Sequence, residues 1–158
     1  MKNSEAATVA GAALAPVKDN RNWTPHILVV DDDDDVRQLS VDALAAHGYG
    51  VEAVKDGAAG WQAIRSGSYD LVITDNRMPK MTGVEMIAKM RAARLPLPII
   101  MATTYLPTHE FAIKPWLEPD AMLQRPCTNE ELLETVEKVL RTDDGNDGGA
   151  AAPLWDFL

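Results

Sequence analysis

The chain has 158 residues, 46% of them hydrophobic, and a formal net charge of -9. That length and apolar content suit one domain with its own core, while the acidic balance argues against nucleic acid as a direct partner, because phosphate backbones call for basic patches. Cys127 is the only cysteine, which excludes a disulfide framework and fits a reducing compartment.

Taken from the N-terminus, residues 1–25 are rich in Ala, Asn and Ser without an amphipathic period, and read as a flexible tail. Ala6 to Ala15 is too weakly hydrophobic for a signal peptide, and no run is long enough to span a bilayer, so no membrane insertion and a cytoplasmic location are expected. From His26 to about Thr142, strand-like and helix-like segments alternate five times. Ile27 to Asp31 is the first expected strand. The helix after it carries Val36, Leu39, Ala43 and Ala46 on one face, with Leu44 at its margin and Gly48 ending it. Val51 to Val54 is a short second strand, and Asp56-Gly57 turns into a helix bearing Trp61 and Ile64. Leu71 to Asp75 is the third strand. Thr82-x-x-Glu85 has the form of a capping box for a third helix with Ile87 and Met90. Pro98 to Thr103 is the fourth strand. Pro115 and Pro119 interrupt the fourth helical region and make it poor. Ala121 to Gln124 is the fifth strand, and Thr128-x-x-Glu131 caps a last helix with Leu132, Leu133, Val136, Val139 and Leu140. Alternation on this scale predicts an α/β doubly wound fold with a parallel sheet and helices on both faces. Residues 143–158 turn acidic and glycine-rich and end in Pro153-Leu154-Trp155-Asp156-Phe157-Leu158. Docking of this apolar segment on its own domain, on a second copy or on a partner, and disorder, all remain open.

Two strands break off at acids. Ile27-Leu28-Val29-Val30 stops at Asp31-Asp32, and Leu71-Val72-Ile73-Thr74 stops at Asp75, followed by Met78-Pro79 and Gly83. In open parallel sheets, ligands bind at the carboxyl ends of the strands. If these two strands are neighbours, three carboxylates converge there and need a cation among them. An all-oxygen set of this kind suits Mg²⁺. Asp33 to Asp35 read instead as the capped start of the first helix. An EF-hand loop fits poorly, because Val36 stands where that loop needs glycine.

These residues resemble the receiver domains of bacterial two-component response regulators. The resemblance covers residues 26–142 and rests on Asp31-Asp32, on Asp75-x-x-Met78-Pro79-x-Met81-x-Gly83, on Thr103 ending the fourth strand, and on Arg125-Pro126 after the fifth. It implies a flavodoxin-like (βα)5 three-layer sandwich with strand order 2-1-3-4-5. It also implies that Asp75 accepts a phosphoryl group from a sensor histidine kinase or a histidine phosphotransfer protein. Mg²⁺ would be held by Asp32, by Asp31 through water, by Asp75 and by the backbone carbonyl of Arg77. Thr103 would hydrogen-bond the phosphoryl group, with Thr104 as a neighbouring alternative, and the Arg125–Pro126 peptide would be cis. Arg77 and Tyr105 would line the mouth of the site.

The chain departs from the family pattern in three places. Arg125 stands where the family has lysine, and a planar guanidinium is not equivalent to a compact ammonium. Lys114-Pro115 comes before any fifth strand and does not match. Met122 replaces a common aromatic residue, and the fourth helix is weak. The leading expectation is a stand-alone phosphorylation-controlled interaction switch, with an unidentified downstream protein target and homodimerisation left open. Beyond its own phosphorylation and slow dephosphorylation, no turnover of a separate substrate is expected. A phosphorylation-independent receiver-like interaction module is the alternative. A haloacid dehalogenase-type phosphatase using Asp32 is the third reading, and it leaves Met78-Pro79 and Gly83 unexplained.

Overall fold

In the computed structural model, described here for residues 23–145, the chain alternates as expected. The elements are β1 (His26–Val30), α1 (Asp34–Ala46), β2 (Gly50–Val54), α2 (Gly57–Ser66), β3 (Leu71–Thr74), α3 (Gly83–Ala92), β4 (Ile99–Thr103), α4 (Thr108–Ile113), a 3₁₀ turn (Pro115–Leu117), β5 (Ala121–Gln124) and α5 (Asn129–Gly145). All four strand pairings are parallel, in the order β2-β1-β3-β4-β5. This is the flavodoxin-like order that the resemblance implies. The segment Pro153 to Leu158 and most of the expected N-terminal tail lie outside the described residues.

The inner strands β1, β3 and β4 are buried on both faces, which is why they read as continuous apolar runs. Their side chains divide between two cores, as a period of two requires. Leu28, Val30, Val72, Ile99 and Met101 pack with Ile64 of α2 and with Val84, Met86, Ile87 and Met90 of α3. Ile27, Val29, Leu71, Ile73, Ile100 and Ala102 pack on the other face with Leu44 of α1 and with Leu132, Val136, Val139 and Leu140 of α5.

Helix starts follow their capping chemistry. The Asp33 side chain accepts the backbone N–H of Asp35 and Val36, and Asp56 does the same for Ala59. Thr82 and Glu85 form a reciprocal capping box, and so do Thr128 and Glu131, at 2.8 and 3.0 Å.

Three expectations are corrected. The face that α1 buries is set by Ser40 and Leu44, while Leu39 points outward at 61% exposed and Ala46 is exposed. Residues four apart share a helix face, and Ser40 and Leu44 are the buried pair of α1. The last helix continues past Thr142 to Gly145, because nothing before that glycine breaks it. The strands also end one residue earlier than expected, at Val30 and Thr74. Asp31 and Asp75 still donate their backbone N–H to the neighbouring strands, to Val54 at 3.1 Å and to Val30 at 3.0 Å. The weak fourth helix is as short as its prolines demand: six residues without a side-chain cap, stopping at Lys114.

Candidate functional site

The register of β1 and β3 pairs Val30 with Thr74, so the acids that follow both strands emerge side by side at the carboxyl edge of the sheet. Asp31, Asp32 and Asp75 each place a carboxylate oxygen within 4.8 Å of the others. Asp31 is buried, Asp75 half-buried and Asp32 exposed. The cluster therefore opens to solvent on one side while its floor belongs to the core.

Asp31 is engaged on every side. One carboxylate oxygen accepts the Asp33 N–H at 3.0 Å, and the other accepts Nη1 of Arg125 at 2.5 Å. Its backbone carbonyl accepts Nη1 of Arg37 at 2.9 Å, while Nη2 of that arginine reaches Asp34 at 2.6 Å. Burial raises the Asp31 carboxyl above its ordinary range. The Asp33 N–H and the Arg125 guanidinium oppose that shift, and the charge on Asp75 adds to it.

Asp75 is set by the turn that follows it. The Asn76 N–H donates to the Asp75 carboxylate at 2.7 Å, and the Asn76 side chain accepts the Val84 N–H at 3.0 Å. The Thr74 hydroxyl donates to the Asp75 carbonyl at 2.7 Å. Gly83 lets α3 close onto this turn, since a Cβ there would lie 2.3 Å from the Asp75 carbonyl oxygen. Beside the turn, Lys80 adopts φ 72° and its Nζ lies 3.7 Å from the buried carboxylate of Asp56.

Thr103 is buried at the end of β4 and Thr104 is exposed. The Thr103 carbonyl accepts the Arg125 N–H at 2.9 Å, which ties the two strand ends together. The Arg125–Pro126 peptide is cis. Arg125, and not Lys114, is the cation that reaches the acids; Lys114 is exposed at the end of α4. The Arg77 guanidinium stacks over the exposed Tyr105 ring at 5.6 Å. Met122 is half-buried against the core on the α3 side. Sequence reasoning missed Arg37 and Asn76 as supports of the two acids. An Asx residue directly after a strand, with glycine opening the next helix, was the available signal for Asn76. Arg37 left no comparable signal.

The donor set fits a hard divalent cation, since it offers three carboxylates and neither nitrogen nor sulfur ligands. An acid triad at the carboxyl edge of a sheet of this order, with a cation from the β5–α5 turn beside it, belongs to the class of receiver-like α/β domains. A family model described as "Response regulator receiver domain" matches residues 27–137. The transcriptional regulatory protein RprY of Bacteroides fragilis is 33% identical over 116 residues, covering 73% of this chain and 49% of that protein. The response regulator MprA of Mycolicibacterium vanbaalenii is 33% identical over 132 residues, or 84% of this chain and 57% of that one. The chain thus spans about half the length of the curated relatives it matches. Among solved structures, the chemotaxis response regulator CheY4 of Vibrio cholerae is 29% identical with a TM-score of 0.67, covering 74% of this chain and 99% of that one. The response regulator TrrA of Thermotoga maritima, solved in complex with Mg²⁺-BeF, is 31% identical with a TM-score of 0.66, covering 73% and 99%. This chain belongs to the response regulator receiver domain family of two-component systems. Among the described residues, no helix is long and apolar enough to cross a membrane.

Proposed function

We propose that the chain accepts a phosphoryl group on Asp75 from a phosphohistidine of a sensor histidine kinase or histidine phosphotransfer protein, and acts as a phosphorylation-controlled protein-interaction switch. The observation that carries this reading is the convergence of Asp31, Asp32 and Asp75 within 4.8 Å, with Arg125 beside them. An Asp75 carboxylate oxygen would form the new bond to phosphorus as the phosphorus–nitrogen bond of the donor breaks. The imidazole keeps the electron pair of that bond. Carboxylates are weak nucleophiles, so placement and charge neutralisation carry the rate. Mg²⁺, held by Asp31, Asp32, Asp75 and the Arg77 carbonyl, would neutralise charge on the transferring group. Asn76 fixes the Asp75 carboxylate through its N–H. Thr103 and Arg125 supply a hydroxyl and a guanidinium for the phosphoryl oxygens, and their backbone link at 2.9 Å lets one respond to the other. The solved TrrA complex with Mg²⁺-BeF supports a metal and a phosphoryl-like group in a related fold. CheY4, covered over 99% of its chain, supports action as a stand-alone domain, whereas RprY and MprA extend well beyond the match.

The test is to incubate the full chain with acetyl phosphate and Mg²⁺ and to record its intact mass beside Asp75→Asn and Asp32→Asn. A Mg²⁺-dependent gain of one phosphoryl group that Asp75→Asn lacks is the expected result. Labelling that survives Asp75→Asn would overturn the assignment, and its loss only in Asp32→Asn would favour the dehalogenase-type reading. No labelling from acetyl phosphate or from a phosphohistidine donor would favour the phosphorylation-independent interaction module.

A further inference from the structure

We propose that the segment Leu154 to Leu158 folds back on its own domain and seats Trp155 and Phe157 in a cleft at the β5 edge of the sheet, between the last turn of α3 and the second half of α5. The proposal is independent of the phosphoacceptor reading. The cleft lies at the amino ends of β4 and β5, whereas the acids stand at the carboxyl ends of β1 and β3.

The cleft has a volume of about 450 Å³, which is the scale of a ligand pocket. Leu97, Pro98, Met122 and Val139 line it with apolar surface, and Arg91 and Lys138 bring positive charge. Leu97 and Met122 are half-buried, so part of that apolar surface is uncovered by the described residues. The walls are already fixed. Arg91 donates Nε to the Trp116 carbonyl and Nη2 to the Glu118 carbonyl, both at 3.0 Å. The Asp120 carboxylate accepts the Ile99 N–H at 2.8 Å. A site that is ordered before binding keeps the entropic cost of docking small.

Reach, shape and charge single out the chain's own segment as the occupant. Thr142 lines the cleft and α5 ends at Gly145, about one helical turn further on. Residues 146–153 then connect to Leu154, and eight residues span up to roughly 26 Å, with Gly148-Gly149 permitting the reversal. Trp155 and Phe157 stand two apart, so in an extended chain both rings face the same side. Residues 146–158 carry Asp147 and Asp156 and neither lysine nor arginine, opposite in sign to Arg91 and Lys138. Lys138 is exposed at the rim, where Asp156 would meet it. A short tether supplies the segment at an effective concentration on the order of millimolar, well above that of a second copy in dilute solution.

The experiment is NMR on the isotopically labelled full chain, with its mass checked by sedimentation. Nuclear Overhauser contacts between the Trp155 ring and the methyl groups of Met122 and Val139 are expected, unchanged on tenfold dilution. In a Trp155→Ser, Phe157→Ser double variant, the amide resonances of Met122 and Val139 should shift, while that of Glu52 on the far strand stays in place. In Lys138→Glu, which alters an exposed side chain, the Trp155 resonances should move toward those of a free peptide of the same sequence. Trp155 resonances that already match the free peptide in wild type overturn the proposal. So do Met122 and Val139 amides that ignore the double variant, or Trp155 resonances that ignore Lys138→Glu. Contacts that fade on dilution as a dimer dissociates assign the cleft to a second copy and overturn docking within one chain.

Discussion

At Gly83 the third helix closes directly onto the turn that carries Asp75, and a single methyl group there should show it. A Cβ on residue 83 would lie 2.3 Å from the Asp75 carbonyl oxygen, 3.1 Å from the Asn76 Cα and 3.1 Å from the Met101 Cε. The methionine end can swing aside, but the first two neighbours are backbone. To reach ordinary contact the turn must retreat by roughly 1 Å, a distortion of the kind that costs about 1–3 kcal/mol in a packed interior. Alanine regains about 0.5–1 kcal/mol through its better helix propensity. The net expectation for Gly83→Ala is a loss of about 1–2 kcal/mol, which at typical urea slopes lowers the unfolding midpoint by roughly 1 M. Urea unfolding followed by circular dichroism measures this directly. Gly48→Ala supplies the comparison: Gly48 has φ 102° and open space around it, so its cost is backbone strain at the end of α1, remote from the acids. Both variants should lose stability, but only Gly83→Ala should also lose phosphoryl labelling, because the turn that carries Asp75 moves. A Gly83→Ala protein with the wild-type midpoint and wild-type labelling would refute the packing argument.

Two further outcomes are expected. Thr128→Ala removes the hydroxyl that accepts the Glu131 N–H at 3.0 Å, and should cost about 1 kcal/mol in urea unfolding, with Thr128→Ser close to wild type. The Tyr69 hydroxyl is pushed up from 10.0 to about 12, first by burial and then by its hydrogen bond to Glu52 and the charge of that carboxylate. The folded chain therefore keeps a proton that the unfolded chain releases near pH 10.0, and the associated stability is complete below that pH and lost as pH climbs toward about 12. Unfolding free energy should fall more steeply across that interval in wild type than in Tyr69→Phe, and parallel curves would contradict the assignment.

Much of this architecture was legible because buried parallel strands leave few choices of residue. Ile27 to Val30 and Leu71 to Thr74 are apolar runs because both their faces are covered, and the acids that end them are conspicuous for the same reason. The two Thr-x-x-Glu boxes marked their helices because capping is local chemistry. Leu39 misled for the opposite reason. Hydrophobicity alone placed it inward, although the spacing of Ser40 and Leu44 decides which way α1 faces. Asp31 could be read as an acid at a strand end, but its pairing with Arg125 joins residues 94 apart in sequence and depends on where β5 comes to lie. Arg37 is closer in the chain, yet its bond to the Asp31 carbonyl depends on how α1 leaves the sheet. Long-range partners of this kind are products of the fold and have no local signature.

The two outer strands bear on how this domain behaves among other molecules. β2 is half-exposed and carries Glu52 outward, with Lys55 directly after it, and β5 is only four residues long before Arg125 and Pro126. An unpaired strand edge invites further strands to add to it, and charge, brevity and proline are the usual deterrents. Both margins of this sheet carry such deterrents, so the sheet should stop at five strands even at high concentration. Association between copies or with a partner would then proceed through side chains on helices and loops, leaving the hydrogen-bonded ladder undisturbed.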